Sequence, residues 1–176
     1  NTVGSKEMAE LLGNMTIFDN PKPSGLISEL IKLGSERDSL ILDFFAGSAT
    51  TAHAVLDLNK ADGGNRRFIC VQIPEPTDAN SEARKAGYRS IADIGKERIR
   101  RVAARIKQEQ EANKDLFSAG QAPPDMGFRV FKLQKSNFRL WDAGVAKTPE
   151  AIQQQLELHV EHLAPEAQRE AVLYEL

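Results

Sequence analysis

The sequence contains one cysteine, no long apolar run and no excess of positive charge. Cys70 has no possible partner within the chain, so an intrachain disulfide is excluded, as is usual for proteins of a reducing cytoplasm. No apolar run approaches the roughly 18 residues that a membrane-spanning helix needs, and the first residues do not follow the pattern of a signal peptide. The formal net charge of −2 argues against wrapping around a polyanion, so any contact with nucleic acid would be local or made by another region.

The composition is typical of a globular protein, with 41% hydrophobic and 27% charged residues in a chain of 176. This length is enough for one domain of ordinary size with an appendage. We predict a core over residues 1–117 and a linker, "SAGQAPPDM", over residues 118–126. The extension over residues 127–176 is predicted to contain a strand at "GFRVFKL" and then helices.

The stretch "SLILDFFAGSATTAHAV", Ser39–Val55, predicts a buried strand, a sharp turn and the start of a helix. The continuous apolar run Leu40–Leu42 is typical of a parallel strand that is covered on both faces. The helix is predicted from about Thr50 to Leu58, and "RRFICVQI" is a second buried strand, so the sequence predicts one right-handed βαβ unit. A long helix is predicted from about Tyr88 to Ala112, because apolar residues recur there at helical spacing.

The turn after the first strand, "DFFAGSATT", favours a ligand that carries positive charge. A phosphate-binding P-loop would need a Gly-Lys-Ser/Thr ending, and a dinucleotide fingerprint would need three glycines, whereas only Gly47 lies in the turn. S-adenosylmethionine fits better, because Asp43 suits its cationic amino group and the amides of the helix N-terminus suit its carboxylate. The alternative is a tight turn that binds nothing. We expect His53, in the helix, to be a packed side chain rather than a catalytic base.

The segment "IFDNPKP", Ile17–Pro23, is stiffened by its two prolines. Asn20 and Lys22 each precede a proline, which disfavours the helical region for both. We therefore predict that this proline segment is extended, and that a helix follows it in "SGLISELIKL".

Several segments resemble, in order, those of one family of enzymes. They are "FDNPKP", "ILDFFAGSATTAHAV", "NKADGGNRRFICVQIPEP", "AGYRSIADIGKERIRR" and "GFRVFKLQKSNFRLWD". The chain resembles the adenine-specific, amino-group DNA methyltransferases of the permuted class, in which the catalytic motif precedes the cofactor motif. Within that class it is most similar to the modification subunits of type III restriction-modification systems. The resemblance covers most of Val3–Asp142.

The resemblance implies a fold and an activity. The fold would be α/β, a partial Rossmann-like core of an S-adenosylmethionine-dependent methyltransferase in three α/β/α layers, with a small C-terminal extension. The parent enzyme would transfer a methyl group to the exocyclic amine of adenine in DNA. The family's "DPPY" loop, which holds the flipped-out base, and its target-recognition region are absent from this sequence. In the permuted order both would precede Asn1, so we assign no catalytic residue and no metal ligand, and we expect this chain alone to be inactive.

The resemblance also implies which residues bind S-adenosylmethionine. Asp43 would lie by the amino group of the cofactor, with the backbone after it along the ligand and Lys22 at its amino-acid end. The candidate residues are Lys22, Pro23, Asp43, Phe44, Phe45, Ala46, Gly47, Gln72 and Glu75. Ala49 departs from the family pattern, which usually has a second glycine there. Gln72 stands where many methyltransferases have the acid that binds the ribose hydroxyls, and Glu75 is the other candidate for that role.

The resemblance implies partners as well. They are DNA, through the region missing from this sequence, the restriction subunit, and a second modification subunit in a homodimer. The setting would be the cytoplasm, with no membrane contact. An alternative from another class is an assembly or dimerisation module without independent ligand binding, because Trp141 and the amphipathic tail could contact other subunits.

Overall fold

The computed structural model describes residues 3–112, 125–145, 147–160 and 163–175. The predicted linker lies outside these ranges except for residues 125 and 126. The chain forms two compact units, Asn1–Phe128 and Arg129–Leu176. No helix in the described ranges is long and apolar enough to cross a membrane.

The first unit combines helices with a small parallel sheet. Its helices are α1 (Val3–Leu12), α2 (Ser24–Gly34), α3 (Thr50–Asp62), α4 (Glu82–Lys85) and α5 (Ile91–Ala112), and its strands are β1 (Leu40–Asp43) and β2 (Arg67–Cys70). The strands pair in parallel, with Leu40 opposite Arg67 and Asp43 opposite Cys70. The predicted succession of strand, helix and parallel strand is therefore confirmed, although α3 runs about one turn past its predicted end.

One face of this sheet is covered by helices, and the other is open in the described residues. Ile41, Phe68 and Cys70 pack against the buried side chains of the helices. Their neighbours point to the opposite face, because side chains alternate along a strand. The side chains on the open face are about half exposed: Leu40 (51%), Leu42 (49%) and Ile69 (47%). The expectation of strands covered on both faces is therefore wrong for the described residues, in which helices cover one face of the sheet. The three-layer α/β/α arrangement stays a prediction.

Helix α5 begins at Ile91 rather than at Tyr88, because the residues before Ile91 make other hydrogen bonds. The carbonyl of Tyr88 accepts from the hydroxyl of Thr77 (2.7 Å). Ser90 and Asp93 then form a capping box, in which the Ser90 N–H donates to Asp93 Oδ2 (3.0 Å) and the Asp93 N–H donates to Ser90 Oγ (3.2 Å). The predicted apolar stripe of α5 enters the core through Ile94, Ile99, Val102 and Ile106.

Helix α1 packs closely against the proline segment. A Cβ atom at Gly4 would lie 2.0 Å from the carbonyl oxygen of Pro21, so this approach requires glycine. Asn20 has φ +53°, so the predicted extended backbone is wrong at this residue. Asparagine is one of the few residues that tolerate the left-handed region, and the right-handed helical region is avoided, as expected for a residue before proline.

The second unit contains the helices α6 (Pro149–Val160) and α7 (Arg169–Glu175). The strand predicted at residues 127–133 is not formed, since these residues have no regular secondary structure. A strand needs a neighbour to share its hydrogen-bond ladder, and no described strand lies alongside. Among the described residues of this unit, an isolated antiparallel bridge joins Phe138 and Leu163.

We expect Gly4→Ala to lower the free energy of unfolding by about 1–3 kcal/mol, the usual cost of extra atoms in a packed site. Gly25→Ala is the matched control, because Gly25 also lies in a helix and a Cβ atom there would have no neighbour within 4 Å. Alanine at that site should be neutral or raise stability by up to about 1 kcal/mol. Urea denaturation followed by circular dichroism measures both variants, and equal stabilities would contradict the close packing of α1 on Pro21.

Candidate functional site at the first strand–helix turn

The turn between β1 and α3, residues 44–49, is held by the carboxylate of Asp43 at the end of β1. Asp43 Oδ1 accepts from the N–H of Phe45 (3.0 Å), and Oδ2 accepts from the hydroxyl of Thr51 (2.5 Å). The carboxylate therefore joins the end of the strand to the first turn of α3. An ionised carboxylate offers about four lone-pair sites, so Asp43 retains the capacity to accept a further donor.

The first residues of this β1–α3 turn differ in exposure. Phe44 and Phe45 are 64% and 87% exposed, so they present aromatic surface at the edge of the sheet. Ala46 is buried, and its N–H donates to the carbonyl of Val71 just after β2 (3.1 Å). The turn is thus fastened to both strands at their carboxyl ends.

Gly47 occupies a position that favours glycine. Its φ is +52°, and a Cβ there would lie 3.2 Å from the ring of Phe18. Its N–H donates to Oε1 of Gln72 (2.7 Å), while Nε2 of Gln72 donates to the carbonyl of Ile73 (3.1 Å). The Gln72 side chain, a sequence candidate for the ribose hydroxyls, therefore supports the turn itself.

Ala49 lies in the left-handed region, with φ +60° and ψ +42°. This conformation costs a non-glycine residue roughly 1–2 kcal/mol, and it occurs where the resembled family usually has glycine. Helix α5 comes very close here, because a Cβ at Gly95 would lie 3.2 Å from the carbonyl oxygen of Gly47 and 3.3 Å from Cβ of Ala49. The shape of the turn is consequently tied to the packing of α5.

The proline segment lies against the N-terminus of α3. The hydroxyl of Thr50 donates to the carbonyl of Lys22 (3.3 Å). The Lys22 side chain is exposed, and Pro23 is the residue that precedes α2. The backbone of Lys22 is thus next to the turn, so the proline segment and the turn are neighbours in the fold.

Glu75 lies beyond β2 and is exposed. Its carbonyl accepts from the N–H of Ile91 at the start of α5 (2.9 Å). Its carboxylate makes no hydrogen bond or ion pair with the described residues, unlike Gln72. Of the two sequence candidates for a diol, Glu75 is therefore the one whose side chain has no hydrogen-bond partner within the described residues.

A buried arginine, Arg98 of α5, stands behind the turn and was missed by sequence reasoning. It is 0% exposed, and its Nη1 donates to the hydroxyls of Ser48 (3.1 Å) and Thr50 (2.8 Å). Burial lowers the pKa of Arg98 to about 10, although Glu7 and Asp57 oppose this shift. The guanidinium stays charged at neutral pH. The sequence could have indicated that Arg98 is buried, because position 98 falls on the apolar stripe between Ile94 and Val102.

His53 is a packed residue, as expected, and is 2% exposed. Its Nδ1 accepts from Nε of Arg98 (3.2 Å), so the proton is assigned to Nε2, which faces Oδ2 of Asp57 at 3.0 Å. Burial raises the pKa of Asp57, but the hydrogen bond from His53 and the charge of Arg105 outweigh burial and bring it below its ordinary value. His53 therefore connects Arg98 to a carboxylate on its own helix.

Cys70 lies opposite Asp43 in the sheet. Burial raises the pKa of its thiol to about 11, and the nearby Asp43 carboxylate adds to the increase. The thiol is therefore protonated and weakly nucleophilic at neutral pH.

The structure brings Asp43, Gly47 and Gln72 together at the carboxyl end of the parallel sheet, where open α/β folds bind ligands. The N-terminus of α3 adds the positive end of a helix dipole beside the negative Asp43. A ligand with both a cationic and an anionic group could therefore be held here. Lys22 joins the arrangement through its backbone, whereas Glu75 lies further along the chain.

Comparison with known proteins shows one family and several relatives. A profile of the DNA methylase family matches residues 3–103. The Mod subunit of the type III restriction-modification enzyme StyLTI from Salmonella typhimurium is 50% identical over 117 residues, covering 66% of this chain and 18% of the relative. For the EcoPI Mod subunit of Escherichia phage P1 the identity is 48% over 101 residues, covering 57% and 16%.

A third relative extends the similarity into the second unit. The EcoP15I Mod subunit of Escherichia coli is 38% identical over 152 residues, covering 84% of this chain and 22% of the relative. The chain thus spans about a fifth of the length of these curated relatives.

We expect the thiol of Cys70 to react with iodoacetamide at pH 8 about 100-fold more slowly than a free thiol of ordinary pKa, because the thiolate is scarce. Asp43→Asn should accelerate the reaction by removing the nearby negative charge, while Asp38→Asn, at the exposed opposite end of β1, should not. Mass spectrometry follows the alkylation, with urea-unfolded protein as the reference. Rapid alkylation of the folded chain, or an Asp43→Asn rate equal to that of Asp38→Asn, would contradict this account of the site.

Proposed function

From the premise that this chain belongs to the DNA methylase family, we propose that it binds the methyl donor S-adenosylmethionine at the β1–α3 turn. The observation that carries the proposal is the position of the Asp43 carboxylate, at the carboxyl end of the parallel pair β1–β2 and against the first turn of α3. The β1–α3–β2 unit would then be part of a Rossmann-like methyltransferase core.

The chemistry of the turn supports this ligand. The amino group of S-adenosylmethionine would donate to Asp43, and its carboxylate would lie near the N-terminus of α3. The backbone of residues 44–47 would run along the ligand, since Gly47 has no side chain to intervene. Lys22 and Pro23 would form the wall at the amino-acid end of the ligand.

We assign the ribose hydroxyls to Glu75 rather than to Gln72. The amide oxygen of Gln72 already accepts from Gly47, whereas the carboxylate of Glu75 has no partner in the described part of the chain. A carboxylate can accept from both hydroxyls of a diol in charge-assisted hydrogen bonds. The amide at position 72 is then a support for the turn, in place of the acid that many methyltransferases use.

We further propose that the longer protein is an adenine-specific DNA methyltransferase of a type III restriction-modification system. Its relatives are named as Mod subunits of such enzymes. The 176 residues contain no acid or amide followed directly by two prolines and an aromatic, which is the order of the loop that would hold a flipped-out adenine. This chain would therefore bind the donor, and another region would place the base over it and cover the open face of the sheet. DNA, a restriction subunit and a second copy of the protein are its proposed partners.

A second candidate is an assembly module that binds no ligand. It is favoured by the exposed apolar side chains of the second unit, where Leu133 is 97% exposed and Tyr174 is 93% exposed. Titration with S-adenosylmethionine separates the two proposals, because a site that stays empty at millimolar ligand would support the module.

We expect Asp43→Asn to weaken the binding of S-adenosylmethionine by about 1.5–3 kcal/mol, the usual contribution of a hydrogen bond to a charged group. Isothermal titration calorimetry of the folded chain measures the affinity, and Asp38→Asn removes the same charge at the other end of β1 as a control. Unchanged affinity in Asp43→Asn, with circular dichroism like that of the wild type, would refute the role of Asp43.

The assignment of the ribose hydroxyls to Glu75 predicts that variants at positions 75 and 72 differ in their affinity for S-adenosylmethionine. Glu75→Gln should weaken the binding of S-adenosylmethionine and of adenosine alike, because the hydroxyls belong to the nucleoside. Gln72→Glu should keep most of the affinity, since a carboxylate oxygen can still accept from the N–H of Gly47. Stronger loss in Gln72→Glu than in Glu75→Gln would reverse the assignment.

A further inference from the structure

We propose that Arg98 is a positioning residue that fixes the β1–α3 turn against the proline segment and thereby shapes the S-adenosylmethionine site. The inference rests on the proposed function, because it concerns the same site. Arg98 is fully buried, so it would act through the two walls of the site and not by touching the ligand.

Arg98 binds the first wall, the β1–α3 turn, directly. Nη1 of Arg98 donates to Ser48 Oγ at 3.1 Å and to Thr50 Oγ1 at 2.8 Å. These hydroxyls lie on either side of Ala49, whose backbone is left-handed. A turn with an unfavourable backbone conformation persists only when its surroundings hold it, and Arg98 binds it at both sides of the unfavourable residue.

Arg98 reaches the second wall, the proline segment, through two relays, which are side chains that bond both to Arg98 and to the backbone next to Pro23. The hydroxyl of Thr50 accepts from Arg98 and donates to the carbonyl of Lys22 (3.3 Å). The carboxylate of Glu7 accepts from Nη2 of Arg98 (3.4 Å) and from the N–H of Ser24 (2.9 Å). The two relays end on the residues immediately before and after Pro23. One guanidinium therefore positions both the β1–α3 turn and the proline segment.

Stability alone gives a weaker account of this arginine. Buried charges are costly to desolvate, and replacing a buried ion pair by apolar side chains is often neutral or stabilising. Position 98 is four residues from both Ile94 and Val102, which are buried in the core, so an apolar side chain would continue the stripe. Arginine instead supplies five donors in a fixed planar fork, and each of its nitrogens has an acceptor here. The planar guanidinium of Arg98 is therefore suited to hold several hydrogen-bond acceptors in fixed directions.

The test compares Arg98→Lys and Arg98→Met with Arg105→Met. Arg105 also lies on α5 and reaches α3, but it donates to Asp57 rather than to the turn (2.6 Å). In the ligand-free, nitrogen-15-labelled chain, the amide resonances of Gly47 and Ala49 should shift in both Arg98 variants and stay in place in Arg105→Met. Lysine keeps the charge but loses the fork, so it should not restore the wild-type resonances.

The affinity for S-adenosylmethionine provides the second readout. Calorimetry is performed at a temperature at which circular dichroism shows each variant to be folded. Both Arg98 variants should bind about 10-fold or more weakly, as is usual when the support of a binding group is removed, and Arg105→Met should bind like the wild type. A folded Arg98→Met with wild-type affinity and unmoved Gly47 and Ala49 resonances would overturn the proposal.

If neither Arg98 variant folds, Glu7→Met provides the test. Methionine has a similar length but no carboxylate oxygen to accept from Arg98 and Ser24, and the side chain is partly exposed. The Ser24 amide resonance should therefore shift and the affinity should fall several-fold; no change in either would overturn the proposal. If the wild-type chain binds no S-adenosylmethionine, the proposed function fails, whereas the resonances of Gly47, Ala49 and Ser24 still test whether Arg98 holds the two walls.

Discussion

The first unit depends on one buried charge, the guanidinium of Arg98. A buried charge is tolerated only where hydrogen-bond acceptors surround it, and those acceptors come from α1, from α3 and from the β1–α3 turn. Moving any of these elements would leave a charged donor without a partner, which costs more than an ordinary hydrogen bond. The positions of the helices and of the turn are therefore mutually determined.

The sequence was sufficient to predict the elements whose signals are local. The strand–turn–helix at Leu40–Leu58 and the stripe of α5 follow from hydrophobic periodicity, which depends on each element's own residues. The open face of the sheet and the missing strand at 127–133 could not be predicted, because covering and pairing depend on neighbours elsewhere in the chain. The start of α5 at Ile91 needed the Ser90–Asp93 capping box, a short signal that is easily outweighed by the apolar pattern.

The candidate site also contains residues that the sequence could indicate and residues that it could not. Asp43 and Gly47 could be chosen from residue type and position, since an acid at a strand end and a glycine in a turn have direct physical meanings. Gln72 was expected to face a ligand, but its amide oxygen faces the N–H of Gly47, a contact 25 residues apart in sequence that no local pattern indicates. The departures at Gln72 and Ala49 meet in one turn, where the amide supports a backbone that lacks the family's second glycine.

The contact between Glu7 and Arg98 joins residues 91 positions apart. A contact of this kind closes a large loop, which costs chain entropy and slows folding. During synthesis the turn residues leave the ribosome well before α5 does. The hydrogen bonds that hold the β1–α3 turn through Arg98 are therefore complete only when α1 and α5 are both in place.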